Sequence, residues 1–525
     1  MKALPKSYFI SFTALFIVLF DNVSFFKHVL EIYPLNMTNI GFILSLGIFL
    51  YALLVILFNL FSFKKVLKPL LIFTLFLSAI VHYFMQSYNI MVDKTMIENT
   101  LQTDMKESFD LLNIHLFITL FLLAGIPSFI IYKIPLAYSG VKNEIWRSLK
   151  STLLSLLLIL LLLFSFSKFY TSFFREHRSL RLYINPIATI YNTISYAYSQ
   201  LQTNNVSMKV IGEDATIDKE QNQKRKIVVM VVGEAARADH FELNGYTKET
   251  NPLLKQEHII NFSQMYSCGT TTAVSVPCMF SIYTKDEYNT QKGYNTYNAL
   301  DVLSKAGVNV LWRDNNSNSK GVAVRLTYEY YKTDELNTLC QKECRDEGML
   351  IGLKEVIDKD NKDIIIVLHQ MGNHGPAYYQ RYPETFKKFT PVCESNQLET
   401  CTKEEINNAY DNALLYTDYF LSKIINFLKP YAKTSDAAMI YIADHGESLG
   451  ENGLYLHGLP YFMAPQHQKH VGALMWFGKD FPINKEKLKE KATQRYTHDN
   501  LFSTLLGLFH VKTKVYEKKM DILAL

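Results

Sequence analysis

Five long apolar runs precede residue 170, and almost none follow it. They cover roughly Tyr8–Phe26, Ile40–Phe63, Pro69–Ser87, Leu116–Tyr132 and Ser151–Ser167. Each is near the length that crosses a hydrocarbon core, about 20 residues in a helix. The second run has no charge before Lys64. Five in succession argue against buried core helices of a soluble protein. The first run is too long for a cleaved leader, Asp21 and Asn22 interrupt it, and no small-residue cleavage site follows.

Loop charges orient the spans. Lys2, Lys6, Lys64, Lys65, Lys68, Lys133, Lys142, Arg147 and Lys150 fall in one set of loops, and only Lys27, Lys94 and Lys106 in the other. Nine cations against three predict a cytoplasmic N-terminus by the positive-inside rule. Five spans then put everything after residue 170 outside the cytoplasm. The six cysteines agree, because Cys268, Cys278, Cys340, Cys344, Cys393 and Cys401 all lie in that outer part. An even number in an oxidising compartment reads as three disulfides. Close spacing favours neighbour pairs, 268–278, 340–344 and 393–401, among the fifteen connectivities that six cysteines allow. The net charge of +5 over 525 residues is small and points to no nucleic-acid partner.

The rest of the chain divides by texture. The outside loop 87–114 has helical periodicity, with Asn99, Thr103 and Glu107 at i, i+4 and i+8 on one face; by spacing alone that face is a solvated polar one. Residues 1–168 read as a transmembrane domain of five helices. Residues 169–225 read as an interfacial bridge and linker, aromatic and basic first, then polar through "GEDATIDKEQNQKRK". From residue 226 to 525 the reading is a globular domain. "KIVVMVV", "GVNVLW", "KDIIIVLH" and "AAMIYIAD" are short strand-like runs separated by helical patterns such as 404–431. Strands alternating with helices predict an α/β domain with a parallel sheet covered on both faces.

The chemistry gathers at the ends of those runs. Glu234 follows the first, with Arg237, Asp239 and His240 behind it; "VLHQMGNHGP" brings His369 and His374; "YIADHGESLGENGLYLHG" brings Asp444, His445, Glu447 and His457. Ligands of open α/β sheets bind outside the carboxyl ends of the strands. Carboxylates and imidazoles aimed at one rim suit zinc or manganese, but spacing does not say which of them bind it. "SCGTTTAVSVPCMFS" (267–281) adds three threonines between two cysteines. A metal beside one hydroxyl would turn a weak nucleophile into an effective one, and a helix starting there would favour a phosphate.

"VVGEAARADHFELNGY", "SCGTTTAVSVPCMFS", "WRDNNSNSKG", "LHQMGNHGPAY" and "ADHGESLGENGLYLHG" resemble the lipid A phosphoethanolamine transferases, including the mobile colistin-resistance enzymes. These belong to the alkaline phosphatase/sulfatase superfamily, and the resemblance runs over nearly the whole chain. It implies Zn²⁺ held by Glu234, Thr272, Asp444 and His445, with Thr272 as nucleophile. His374 and His457 would bind substrate phosphate, one of them protonating the leaving group. Asn316, Ser317 and Lys320 would also bind substrate. Asn99, Thr103 and Glu107 would hold the headgroup, and the three neighbour disulfides match. Thr271 departs from many relatives, which have another small or polar residue there. The implied reaction moves phosphoethanolamine from phosphatidylethanolamine to a lipid A phosphate through a phospho-threonine, giving polymyxin resistance. The enzyme would be a monomer of the bacterial inner membrane with its catalytic domain in the periplasm. Other acceptors (a core sugar, a glycan, a protein) or phosphoglycerol transfer would fit the same scaffold. A sulfatase would need a cysteine or serine where this motif has threonine. A purely lipid-binding or protein-binding outer domain would have no use for the metal set.

Overall fold

Lys6–Phe16 (α1) and Val23–Ile32 (α2) occupy the first apolar run, but not as one straight helix. The computed structural model, which describes residues 3–103, 109, 111–203, 207–217 and 224–524, puts a π-helical turn at Ile17–Asp21 and a 56° bend between the two. The polar pair that interrupts the run causes the break. Asn22 Nδ2 donates to the Ile17 carbonyl at 3.0 Å and to the Asn185 carbonyl at 2.8 Å, and Asn22 Oδ1 accepts from Asn185 N at 2.9 Å. A side chain inserted into the helical ladder is one of the few causes of a sharp kink.

The remaining apolar runs form helices too, the first ending three residues before its run does and the other three longer than the runs themselves. They are Ile40–Leu60 (α3), Leu67–Tyr88 (α4), Ile114–Lys133 (α6) and Val141–Ser165 (α7), with the short Lys94–Gln102 (α5) in the outside loop. Among the described residues, four helices are long and apolar enough to cross a membrane, and the bent α1–α2 pair is a possible fifth span. Ser167–Glu176 (α8) and Ile187–Thr203 (α9) follow. The chain divides into two units, Met1–Ile97 with Leu112–Ser195, and Glu98–Leu111 with Tyr196–Leu525.

In the second unit, among the described residues, one sheet has seven strands: Lys226–Gly233 (β1), Ile259–Asn261 (β2), Asn309–Asp314 (β3), Thr327–Tyr330 (β4), Ile364–His369 (β5), Asp436–Ala443 (β6) and Ala473–Phe477 (β7). Their order is β2-β7-β6-β1-β5-β3-β4. Every residue of β1, β5 and β6 is buried, as expected for central strands covered on both faces. The helix Lys403–Leu428 (α11) covers one face with Leu414, Leu421, Ile424 and Leu428; Thr402 and Glu405 cap its start reciprocally.

The sheet is mixed, not wholly parallel. β7 runs antiparallel to β6, and β2 antiparallel to β7. A parallel neighbour for β6 would need a crossover helix. The connection from 444 to 472 holds one α-helical turn, Gln466–Lys469, a 3-10 turn at Glu451–Gly453 and three two-residue strands, and no crossover helix. Disulfides join Cys268 to Cys278, Cys340 to Cys344 and Cys393 to Cys401.

Candidate metal centre and its nucleophile

Register brings the site together. Gly233 at the end of β1 lies opposite Ala443 at the end of β6, and Val232 lies opposite His369 at the end of β5. The next residues, Glu234 and Asp444, therefore leave the sheet side by side. Ala235 turns the chain at once, with φ of 52°, a left-handed conformation that costs a non-glycine residue about 1–2 kcal/mol. The turn is held by hydrogen bonds: Ala235 N donates to Asp444 Oδ1 at 3.1 Å, and Tyr410 Oη donates to the Ala235 carbonyl at 2.7 Å. His445 N also donates to Asp444 Oδ1, at 2.7 Å. Both donors take the same oxygen, which leaves Asp444 Oδ2 facing the centre.

The third element is the helix Thr272–Met279 (α10), with Thr271 as its N-cap in an extended conformation. The three threonines separate by role. Thr270 Oγ1 donates to the Leu459 carbonyl at 2.7 Å. Thr271 Oγ1 is buried with no hydrogen-bond partner. Thr272, the first helical residue, points its hydroxyl at Glu234 Oε2 at 3.2 Å and His445 Nε2 at 3.3 Å. His498 ties this loop to the sheet. Burial lowers its pKa to about 4, so the ring is neutral; Nε2 donates to the Ala443 carbonyl at 3.0 Å and Nδ1 accepts from Cys268 N at 3.3 Å.

Glu234, Asp444 and His445 are fully buried, and Thr272 is nearly so. His445 Nδ1 lies 2.9 Å from the Gly446 carbonyl, which makes Nδ1 the protonated nitrogen. Its Nε2 lone pair then faces Glu234 Oε1 at 3.3 Å and Asp444 Oδ2 at 3.4 Å. A lone pair against two carboxylates is repulsive unless a cation sits among them. The spacing suits one. Ligands about 2.0–2.1 Å from a tetrahedral zinc lie about 3.3–3.4 Å from each other, and the separations from Thr272 to Glu234 and His445, and from His445 to Glu234 and Asp444, run from 3.2 to 3.4 Å. The ligand atoms of Glu234, Asp444 and His445 all lie within 4.8 Å of one another. Partners fix them in turn: Asn316 Nδ2 donates to Glu234 Oε2 at 2.8 Å and Ser275 Oγ to Asp444 Oδ2 at 3.3 Å.

Two more imidazoles flank this centre. The His457 ring lies 4.1 Å from that of His445 and 5.8 Å from that of His374, centroid to centroid. His457 Nδ1 bonds Glu447 Oε2 at 2.9 Å, and Tyr378 Oη donates to Glu447 Oε1 at 2.8 Å. His445, Glu447 and His457 form a second group able to hold a metal ion. Burial, with the positive charge of Arg381 and His457, lowers the pKa of His374 well below the usual imidazole value.

Other sequence candidates stand elsewhere. Asp239 pairs with Arg237 at 2.7 Å, and His369 bonds Asp314 at 2.9 Å within the sheet edge. Lys320 Nζ donates to the Ser317 carbonyl at 3.0 Å and the Gln102 carbonyl at 3.1 Å. It thereby joins the 316–321 turn to the end of α5. Ser317 N donates to Asn316 Oδ1 at 2.6 Å. Asn99 and Thr103 are half-buried, and Thr103 Oγ1 donates to the Asn99 carbonyl at 2.8 Å; Glu107 lies outside the described residues. Sequence reasoning gave no role to Ser275 or His498, and it placed Glu447 only among the carboxylates gathered at the rim. Glu447 sits in the same quoted motif as His457, ten residues away, and that adjacency was the only signal of their pairing.

Comparison with known proteins follows the same division of the chain. Residues 226–511 match the family model described as Sulfatase, and residues 50–201 match that described as Phosphoethanolamine transferase EptA/EptB. Phosphatidylethanolamine transferase Mcr-2 of Escherichia coli is 43% identical over 95% of this chain and 94% of its own. Phosphoethanolamine transferase EptA of Escherichia coli K12 is 40% identical over 97% of this chain and 95% of its own. The solved structure of the integral membrane protein lipooligosaccharide phosphoethanolamine transferase A (EptA) from Neisseria meningitidis matches with a TM-score of 0.95 at 36% identity, covering 100% of this chain and 99% of that one.

Proposed function

The chain belongs to the EptA/Mcr phosphoethanolamine transferase family, and from that premise we propose that it moves phosphoethanolamine from phosphatidylethanolamine to a phosphate of lipid A through a phospho-threonine at Thr272. It is an integral membrane enzyme with its α/β unit in the periplasm. The bent α1–α2 pair counts as one span, making five, and the enzyme acts as a monomer. The observation that carries the reading is the Thr272 hydroxyl at the start of α10, 3.2 Å from Glu234 and 3.3 Å from His445.

Glu234, Thr272, Asp444 and His445 would hold a zinc ion. When bound, the metal makes the threonine hydroxyl more acidic and sets positive charge beside the phosphoryl group. The backbone N–H groups at the start of α10 add to that charge, as helix N-termini do for phosphates. Thr272 Oγ gives its proton to Glu234 Oε2, which it faces at 3.2 Å, and attacks the phosphorus of phosphatidylethanolamine, and the bond to the diacylglycerol oxygen breaks. His457 protonates that oxygen; Glu447 fixes the ring and balances the charge of its protonated form. His374, neutral because of its burial, donates a hydrogen bond to the phosphoryl group. Asn316 and Ser317 position the phosphate, and Lys320 fixes the turn that carries them. Asn99, Thr103 and Glu107 hold the headgroup. A phosphate oxygen of lipid A then attacks the phosphorus, and the bond to Thr272 Oγ breaks as that oxygen takes its proton back from Glu234.

An ammonium added to a lipid A phosphate offsets its negative charge, so cationic polymyxins bind less and the cells become resistant. Mass spectrometry of lipid A from cells expressing the chain tests the reading. It should show one added phosphoethanolamine with the natural chain and none with Thr272→Ala. Unmodified lipid A alongside phosphoethanolamine on a sugar or protein would reassign the acceptor.

A further inference from the structure

A cavity of the first unit is far from this chemistry in sequence and in character. A groove of about 940 Å³ runs between α1 and α3, walled by Phe12, Leu15, Leu19, Phe26, Leu44 and Ile48. A second cavity, of about 500 Å³, lies between α1, α3 and the start of α7. Ser7, Ser11 and Tyr51 line both, so the two adjoin. Tyr51 Oη donates to Ser11 Oγ at 3.0 Å and fixes the two helices at the junction. Gly47 lines the apolar part, and a Cβ there would stand 3.7 Å from the Phe26 ring, another wall of the groove.

The ends differ in charge. The apolar end has no acidic or basic side chain beyond the phenols of Tyr8 and Tyr51, whereas Lys6, Arg147 and Lys150 line the other. Lys6 is already engaged, donating to Ser62, Ser148 and the Glu144 carbonyl and lying 3.4 Å from the Glu144 carboxylate. Arg147 reaches the same carboxylate at 3.3 Å with more than half its side chain exposed, and Lys150 is exposed. Three cations against one carboxylate leave an excess of two positive charges at the mouth. From Ser7 to Leu19 the groove spans about 18 Å at 1.5 Å per residue, slightly more than one leaflet of a ~30 Å hydrocarbon core.

We propose that this groove holds an anionic glycerophospholipid of the cytoplasmic leaflet, its phosphate against Arg147 and Lys150 and one acyl chain along α1 and α3. The inference takes only the orientation of the chain from the proposed function, since α7 leads to the periplasmic unit and its first turns face the cytoplasm. An apolar trough alone would be filled by any membrane lipid. The uncompensated cations favour a net-negative headgroup and disfavour one with its own ammonium, in the manner of basic pockets between membrane helices.

Native mass spectrometry of the full chain released from nanodiscs of equal phosphatidylglycerol and phosphatidylcholine tests this. The natural chain should retain about one phosphatidylglycerol in preference to phosphatidylcholine. Arg147→Gln with Lys150→Gln should lower that preference about 30-fold, two charges each acting near the surface. Gly47→Leu should reduce retention of either lipid, and it carries the test if the double variant does not fold. Lys64→Gln with Lys65→Gln removes the same charge from the same membrane face outside the groove and should change nothing. Retention in bulk proportion by the natural chain would overturn the proposal, as would an equal loss of preference in the Lys64/Lys65 variant.

Discussion

At the scale of single residues, the three threonines differ in what surrounds each hydroxyl. Thr270 is committed to the Leu459 carbonyl, Thr271 is buried at the N-cap, and Thr272 alone faces Glu234 and His445. Incubated with phosphatidylethanolamine and no acceptor, the enzyme should release about one diacylglycerol per site, with the adduct mapped by peptide mass spectrometry to Thr272. Thr272→Ala should lose adduct and transfer together. Thr270→Ala forfeits one hydrogen bond, about 1 kcal/mol, and should keep the adduct at a reduced rate; Thr271→Ala should keep it as well. An active Thr272→Ala would replace the two-step route by direct displacement. Glu447 touches both Tyr378 and His457, so Glu447→Gln should lower kcat about 100-fold or more while KM moves little, the signature of impaired proton transfer. An unchanged kcat would remove His457 from the role of acid. The strand-end positions of Glu234, Asp444 and His445 were legible in the sequence, because an apolar β-branched run followed by a polar residue marks where a buried strand surfaces. The pairing of Glu447 with His457 was not, since it depends on how the 444–472 loop closes. Neither were the hydrogen bonds of Ser275 and Asn316 to the two carboxylates, which come from segments over 80 residues away in sequence.

At the scale of elements, the central strands followed their patterns closely, β1, β5 and β6 being continuous apolar runs. What escaped was direction. The alternation predicts a parallel sheet, but β7, "ALMWF", which is not among the runs singled out, follows a connection without a crossover helix and returns antiparallel. That loop carries His445, Glu447 and His457, so its packing governs the site. Gly446 N donates to the Gln468 carbonyl and Glu447 N to the His467 carbonyl, at 3.0 and 2.9 Å, drawing two stretches of the loop together. A Cβ on Gly446 would stand 2.0 Å from the His467 carbonyl oxygen, and backbone cannot yield as a flexible side chain does. Gly446→Ala should therefore cost about 1–3 kcal/mol of stability, lowering the melting temperature of the folded chain. It should also displace both flanking site residues and cut transfer at least tenfold. A variant with unchanged melting and transfer would show that the loop is not held where these contacts put it. Asp21 and Asn22 are the matching lesson in the first unit: they read as an interruption within one span, and the Asn22 side chain turns that interruption into a 56° bend.

At the scale of the whole molecule, the proposed reaction joins two lipids, and the chain supplies both a membrane part and a segment of the outside loop. Chelation followed by dialysis should abolish adduct formation on Thr272, and zinc should restore it; an adduct at the natural rate in protein verified metal-free would remove the metal from the reading. The larger question is what the membrane part contributes. The sheet and all three disulfides lie beyond residue 225, so a fragment from residue 207 onward has its own core and should fold alone. It would lack α5, whose Gln102 carbonyl accepts from Lys320 and whose buried Glu98 accepts from Thr290 at 3.0 Å. It would also lack the helices that keep the site at the bilayer, where both lipids are concentrated. The fragment should still form the Thr272 adduct with a short-chain, water-soluble phosphatidylethanolamine analogue, because Glu234, Thr272, Asp444 and His445 are all retained, but with a KM about tenfold higher or more, because the headgroup residues Asn99, Thr103 and Glu107 are lost. With phosphatidylethanolamine and lipid A in vesicles it should fall at least about 100-fold behind, the order of advantage that tethering gives. Equal rates on vesicles would show that neither α5 nor membrane anchoring serves the transfer. A fragment that folds but fails on the soluble analogue as well would instead make α5 part of the reaction centre, acting through Lys320 and the turn that carries Asn316 to Glu234.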